Sequence, residues 1–584
     1  MLRVNWMVLL LLGTLAGNLA CSQFQAKVPA SSSALTGVVT SQAEGAMEGV
    51  LVSAKRVGAP ITVTVVSDAQ GRYTFPADRL TAGDYYLSIR AAGYDLGGPS
   101  EAEVIEILAD KTTQLDLKLT ETKDLPSQLM NAEWLLSIEK SGHGKEQMEK
   151  LNCVGCHSMT RLFTSKHTAE EWAGVIDRMR TYGQGGRPLP FPVSPGKPDK
   201  NFVEFLSAVN LSAGAKHDYE LKTLPRPTGR ATRVVITEYD LPDKTSEPHE
   251  VLVAPDGMIW YADFVRPYVV KLNPETAEFA EYRLPDLKPG FPAGSNCFEM
   301  DQEGTLWLGG LKQGGAYKIE RTTGKITSWK LPSSESAYSH AGCLALSPDG
   351  TVWVRETMSG GRGEQHEWRL DPRTGKFTSY APYPKDMKIV PAADRQPQGT
   401  GYLGGFGDLS YEEEATRERK HQIYGTAMDS KGFYYMADIG AGSVAKIDPE
   451  TKAVTFYETP TPNSAPRRMD MDSQDRLWFA EYRAGKIGMF DTKTNAFQEW
   501  PLPTPYAGPY DVKFDKAGNL WAGGMHTDYL YRLHPETGEV TQYLLPTVNG
   551  NIRNMGGVDD RTTPVTVWIG ENHRNKIAKV EPLD

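Results

Sequence analysis

The chain has little cysteine, no long apolar run beyond its first residues and no excess of positive charge. Its 584 residues carry five cysteines, too few to staple a disulfide-rich scaffold of that length. Lys and Arg number 63 against 73 Asp and Glu, a net charge of -10. That balance excludes the basic face that nucleic acid requires, and no Lys/Arg run offers itself to anionic lipid. After the N-terminus no stretch approaches the ~20 apolar residues needed to span a bilayer. The length leaves room for three domains.

Residues 1–22 read as a signal peptide, with Arg3 as the positive start, an apolar core from Val8 to Leu12 and small residues after it. The apolar run is too short for a membrane anchor. Export to the periplasm or cell envelope is therefore expected. Cys21 is an alternative lipid anchor, although Asn18 and Leu19 occupy the places where a lipobox carries a leucine and a small residue. Residues 23–33 are Ser/Ala-rich and read as a linker.

The sharpest motif is "CVGCH", Cys153, Cys156 and His157, the attachment signature of a c-type haem. Two thiols add across the haem vinyl groups, and the adjacent imidazole reaches the iron as proximal ligand. One covalent haem c is the expected cofactor. Around the motif, residues 126–212 read as helical. Thr168 and Glu171 form a capping box ahead of a helix whose Trp172, Val175, Ile176 and Met179 make one apolar stripe. On that stripe a Met179 thioether could take the sixth iron position; His167 is the alternative. The segment resembles an α-helical class I cytochrome c-like domain.

Residues 34–120 alternate apolar and polar positions between Gly, Asp and Pro turns, as a small β-sandwich does. Asp68, Gly71, Tyr73 and Phe75, followed by "AGDYYLSIRAAGYD", resemble the carboxypeptidase regulatory-like, transthyretin-like domain. That resemblance implies a spacer or partner-binding role without chemistry.

Residues 233–584 are a repeat. Blocks such as "PHEVLVAPDGMIWYADF", "NCFEMDQEGTLWLGGL" and "PYDVKFDKAGNLWAGGM" recur about every 40 to 47 residues, apart from one insertion at 384–420. Seven units predict a seven-bladed β-propeller. The last unit lacks an outer strand, and the unpaired "RVVITEYDLP" at 233–242 predicts the strand that completes it. Trp260, Trp307, Trp353, Tyr435, Trp478, Trp521 and Trp568 recur once per blade and read as core between blades. Cys297 and Cys343 each sit ten residues before such a tryptophan and are expected to be buried free thiols.

Eleven residues before each aromatic, the innermost strand begins and should face the central channel. Those positions hold His249, Asn296, Gly342, Tyr424, Arg467, Tyr510 and, after a longer turn, Asn554. Three residues after the aromatic, Asp263, Glu356, Asp438, Glu481 and Glu571 should supply carboxylates to the same rim. The insertion leaves from that rim and could act as a lid.

"EPHEV" and "LWFAEYRAGKIGMFD" resemble the virginiamycin B lyase (streptogramin lyase) family of seven-bladed propellers. The resemblance implies a Glu-x-His element, a second histidine from the preceding blade and a rim glutamate acting with a magnesium ion. Together they open a cyclic depsipeptide ester by elimination. Glu247 and His249 match the Glu-x-His element, Asn554 stands where the second histidine is expected, and Asp263 replaces the rim glutamate. An amide cannot transfer protons as imidazole does, so the lyase set is incomplete; His340, His526 and His573 lie near the rim by register.

The chain thus reads as an exported, multidomain haem protein. Its expected partners are an unidentified small-molecule substrate at the propeller rim and a redox partner, with a divalent cation such as magnesium as a further cofactor. The rival expectation is a non-redox C–O lyase or ligand-binding propeller in which the cytochrome senses or docks.

Overall fold

The computed structural model describes residues 33–97, 103–139, 157–179, 182, 200–213, 219–334, 339–358, 366–380, 388–394 and 421–584. Cys21, Cys153, Cys156 and residues 395–420 of the insertion lie outside the described residues, as does the side chain of His340. Among the described residues no helix is long and apolar enough to cross a membrane.

The N-terminal region is a two-sheet β unit. Ser33–Ser41 pairs with Arg72–Pro76 on one side and with Leu117–Glu121 on the other, and Ile61–Val66, Leu51–Arg56, Gly83–Arg90 and Val104–Ile107 form the second sheet. Alternation puts Leu35, Val39, Val52, Tyr73, Phe75 and Leu119 into one buried core.

From Pro248 onward the chain folds into successive antiparallel sheets. Their inner strands are Pro248–Val253, Ser295–Met300, Ser339–Leu346, Ile423–Met428, Pro466–Met471, Pro509–Phe514 and Gly557–Asp559. From the first blade to the sixth each inner strand adjoins the next, Asn554 and Met555 bond Asp511 at the step from six to seven, and the first packs on the last, so the array closes as a seven-bladed propeller. In blades two, four, five and six an aspartate ties the hairpin to the core aromatic. Asp515 Oδ1 accepts the Ala517 and Asn519 amides at 2.9 Å, and its Oδ2 accepts Trp521 Nε1 at 2.8 Å. Asp472 and Asp301 hold Trp478 and Trp307 in the same way. The aromatic then meets a ring from the outer strand, as in Trp260 with Tyr282 (5.2 Å) and Trp478 with Trp500 (5.0 Å).

Blade seven is completed by Val234–Asp240, which pairs with Lys576–Pro582 from Val234↔Pro582 to Asp240↔Lys576. Tyr239 of that strand lies 5.6 Å from Trp568, the outer-strand ring position of the other blades. The same strand has a second partner that the repeat does not announce. Ile61–Val66 pairs with it antiparallel, Val65 opposite Val235, so blade seven and the N-terminal unit share one eight-stranded sheet. Arg90 fastens the contact: it donates to Asp528 Oδ2 at 2.7 Å and to the Leu545 carbonyl at 2.6 Å. Residues 388–390 of the insertion add a fifth, parallel strand to blade four beside Val454–Glu458.

Two expectations change. Cys297 and Cys343 are not free thiols: they form a disulfide, with their Cα atoms 4.8 Å apart. The reason is topological. Equivalent positions on adjacent blades face each other around the ring, and both inner strands are irregular at the cysteine, between Asn296 and Phe298 and between Ala341 and Leu344. The α-helical segment forms five described helices: Leu125–Gln128, Asn131–Ile138, Met159–Phe163, Ala169–Met179 and Lys200–Val209. The capping box is present, Glu171 Oε2 accepting the Thr168 amide at 2.7 Å. Trp172 is buried, and Val175 and Ile176 pack on the same core. Met179 departs from the buried stripe: at the last residue of its helix it is 38 % exposed.

Candidate functional site

The inner strand of each of the first six blades begins with a bulge. Pairing shifts register between Pro248 and Glu250, between Ile423 and Thr426, between Pro466 and Met469 and between Pro509 and Val512. A bulge sets two residues against one, so two consecutive side chains turn toward the channel where a regular strand would turn one. This doubles the lining. His249 brings Glu250, Arg467 brings Arg468, and Tyr510 brings Asp511. The eleven-residue register finds the first of each pair and misses the second.

At the channel's centre, Arg468 of blade five grips Glu250 of blade one with two bonds, 2.8 Å to Oε2 and 2.6 Å to Oε1. His249 Nδ1 lies 2.5 Å from Glu250 Oε1. His249 is 1 % exposed and Glu250 0 %. Burial drives the His249 imidazole down to about 3, so it is neutral at pH 7. Burial would raise Glu250, but the Arg468 guanidinium and the bonded His249 together outweigh it and hold the carboxyl well below its usual range. The Nδ1–H therefore donates to an ionised carboxylate, and Nε2 is left as an acceptor. Tyr510 Oη lies 3.4 Å from that Nε2 and is itself hydrogen-bonded to Tyr424 Oη. Phe264 stacks on the imidazole at 4.5 Å. Arg467 lies over Tyr510 (4.0 Å), Tyr482 (4.6 Å) and Tyr424 (4.7 Å) and donates to Tyr424 Oη at 3.3 Å.

The sequence-predicted residues divide. His249, Tyr424, Arg467 and Tyr510 come together in the channel. Asp263 and Asn554 are turned to other work. Asp263 Oδ1 accepts the backbone amides of Glu247 (3.3 Å), Val265 (3.1 Å) and Arg266 (3.1 Å), which staples the loops at the blade end. Asp438 does the same for Gln422 and Ala441. Asn554 Oδ1 accepts the Val251 and Gly556 amides at 3.0 Å, and its Nδ2 donates to Asp511 Oδ2 at 3.2 Å, bracing blades six, seven and one. Glu247 Oε2 accepts from Asn572 at 3.3 Å. Glu356, Glu481 and Glu571 are fully buried, so they are blade-end groups and not an open ring of carboxylates. These residues do not fit a magnesium site: Glu250 is neutralised by arginine, and of the Asp263 oxygens one holds three amides while the other lies 3.6 Å from the Arg266 guanidinium. Among the described residues no three His, Cys, Asp or Glu side chains gather as a metal site.

The helical segment sits on the face where the inner strands begin. The Ala132 amide donates to the His526 carbonyl at 2.8 Å, and Asn549 Nδ2 donates to the Leu129 carbonyl at 3.2 Å. Trp134, Phe163, Trp172 and Val209 share one apolar cluster with Tyr506, Tyr529 and Leu530 of the propeller. His526 in turn hydrogen-bonds Tyr482, one of the rings under Arg467. Gly508 permits that approach: at φ 56° a Cβ there would lie 2.4 Å from the His526 ring. His157 is half-buried just ahead of Met159–Phe163, and Asn131 Oδ1 accepts the Met159 amide at 2.8 Å. His167 is half-buried with its ring edge-on to Trp172 at 5.1 Å.

Comparison with known proteins gives the following. The Virginiamycin B lyase family matches residues 409–583, and the Carboxypeptidase regulatory-like domain matches residues 34–120. No curated protein is similar enough to match. A virginiamycin B lyase from Staphylococcus aureus overlays with a TM-score of 0.45 at 20% identity, over 59% of this chain and 98% of that chain. A streptogramin B lyase overlays at 0.47 and 19%, over 61% and 99%. The WD40 repeats of RRP9 overlay at 0.39 and 12%, over 59% and 97%. With overlays this loose, the propeller assignment rests on the strand pairing itself. The chain thus joins a carboxypeptidase regulatory-like domain to a propeller whose residues 409–583 match the Virginiamycin B lyase family.

Proposed function

We propose that the protein is an exported c-type haem protein whose helical segment carries one covalent haem, and that the propeller channel binds the small molecule that gives it electrons. The observation that carries this reading is the "CVGCH" motif joined to a helical segment that docks on the channel face. Cys153 and Cys156 would hold the macrocycle as thioethers and His157 would be the proximal ligand. His157 suits that role: its Nδ1 lies 3.2 Å from the Ser158 carbonyl, and a hydrogen donated there leaves Nε2 as the lone-pair atom. Burial lowers its pKa, which favours the neutral form a ligand needs. Met179 is the distal ligand of this reading and His167 its alternative. When bound, haem c supplies one-electron chemistry.

The docking contacts support the electron-transfer half. A series of hydrogen bonds and ring contacts runs from Asn131 and Ala132 through His526, Tyr482 and Arg467 to Tyr510 and His249. The rival reading, a non-redox lyase, draws on the family match at 409–583. A deeply buried, neutral His249 and an arginine-bound Glu250 weigh against it.

The test is a reduced-minus-oxidised absorption spectrum of protein made with a haem-maturation system. Wild type should show a covalent c-type spectrum and Cys153→Ala should lose it; covalent haem that survives Cys153→Ala overturns the assignment. Substrate-dependent haem reduction separates the oxidoreductase from the lyase, which predicts instead ester opening that His249→Ala abolishes.

A further inference from the structure

We propose that Tyr424 is the proton-accepting group of the channel, the outer end of a hydrogen-bonded series that runs inward through Tyr510 and His249 to Glu250. The inference rests on the reading of the channel as the substrate site, but not on the haem.

The geometry has a direction. Tyr424 is half-buried, whereas Tyr510, His249 and Glu250 are buried. The series therefore has one end that a bound molecule can touch. Its inner end is fixed: Arg468 holds Glu250 ionised, Glu250 takes the Nδ1–H of His249, and Nε2 can only accept. Tyr510 has one hydrogen and two acceptors, His249 Nε2 on one side and Tyr424 Oη on the other. When Tyr424 is protonated, it donates to Tyr510, and the Tyr510 hydrogen turns inward to His249. When Tyr424 is ionised, the Tyr510 hydrogen turns outward to the phenolate. One hydroxyl rotation connects the two states: in the ionised one the phenolate gains the Tyr510 hydrogen and His249 Nε2 gives up its donor. Tyr510 is thus a positioning residue. His249 is another, since its low basicity keeps it from carrying the proton itself.

The charges around Tyr424 favour its anion. Arg467 donates to the phenol oxygen and lies over the ring, Arg355 lies 5.3 Å from the ring centre, and Arg468 acts from behind Tyr510. Burial would raise this phenol, yet Arg467 and Arg468 outweigh it and bring it down to about 8, while Tyr510 is pushed up. Two hydrogen-bonded phenols thus differ in role because Arg467 donates a hydrogen bond to the oxygen of Tyr424, whereas it lies over the ring of Tyr510. A group of that basicity suits proton abstraction near neutral pH. The substrate class that follows is a hydroxyl-bearing molecule: its O–H bond breaks, the proton passes to the Tyr424 phenolate oxygen, and the electron pair stays on the substrate as an oxyanion.

Phenolate difference absorption on the full-length protein tests this without a substrate. Wild type should show one tyrosine ionising near pH 8, ahead of the ordinary tyrosines near ~10. Tyr424→Phe should remove that step, and Tyr510→Phe should raise its midpoint by about one unit, a tenfold loss of acidity. Arg467→Gln should raise it as well. A step that persists in Tyr424→Phe, or no ionisation below pH 9.5 in a folded wild type, overturns the proposal. So does a midpoint unmoved by Tyr510→Phe. Haem content measured on the same samples separates this outcome from failure of the haem reading.

Discussion

Removing Arg468 is the most informative single perturbation of the channel. Its guanidinium makes two bonds to Glu250, a partner 218 residues away on another blade, and neither side chain reaches solvent. Arg468→Met keeps the volume of the stem and strips the buried Glu250 carboxyl of the guanidinium that holds it ionised, beside a histidine that burial holds neutral. Breaking a buried pair from one side costs roughly 3–5 kcal/mol, because the remaining charge has lost its counterion and is cut off from water. Removing both charges costs far less. The double variant Glu250→Gln, Arg468→Met should therefore recover about 2 kcal/mol or more relative to Arg468→Met alone, since a neutral amide can still accept the His249 Nδ1–H. The assay is urea unfolding followed by tryptophan fluorescence and by far-UV dichroism together, with both probes required to coincide. A loss under ~1 kcal/mol in Arg468→Met, or a double variant as unstable as the two singles added, would refute the view that this pair is a desolvated lock across the ring.

The channel histidines give a pH prediction. Burial brings both His249 and His526 down to about 3, whereas an unfolded chain protonates its histidines near ~6.5. The unfolded state binds the extra protons, so stability is full above pH 6.5 and declines as pH falls toward 3. Between pH 7 and pH 5 each should cost about 2 kcal/mol, and His526→Asn should remove roughly half of that slope. An unchanged slope in His526→Asn counts against a buried neutral imidazole there. Deleting residues 34–120 should leave the Val234–Asp240 strand with an open edge, since Ile61–Val66 covers it in the full chain. The truncated protein should aggregate at concentrations where the full chain stays dispersed, measured by light scattering; an equally dispersed product would show that the shared sheet is dispensable.

The amino-acid sequence by itself determined whatever repeats locally. The blade period, the aromatic per blade and the hairpin turns are short-range patterns that recur from blade to blade, and the strand that closes blade seven is legible because it repeats the outer-strand pattern of the others. So is the register that picks His249, Tyr424, Arg467 and Tyr510, because each stands at a fixed distance from its own tryptophan or tyrosine. Tertiary structure decided what depends on two distant segments meeting. The bulges in the inner strands of blades one, five and six turned Glu250, Arg468 and Asp511 into the channel beside their predicted neighbours. Adjacent bulges joined Cys297 to Cys343, which composition left as two thiols. Asp263 and Asn554 look like site residues in a string of letters, but backbone amides occupy them once the blades close. The pairing of Ile61–Val66 with blade seven and the seating of the helical segment beside His526 have no local signature at all. Periodicity reports what a residue's own element does with it. Which partner waits across the ring is settled only when segments hundreds of residues apart share one buried, low-dielectric space.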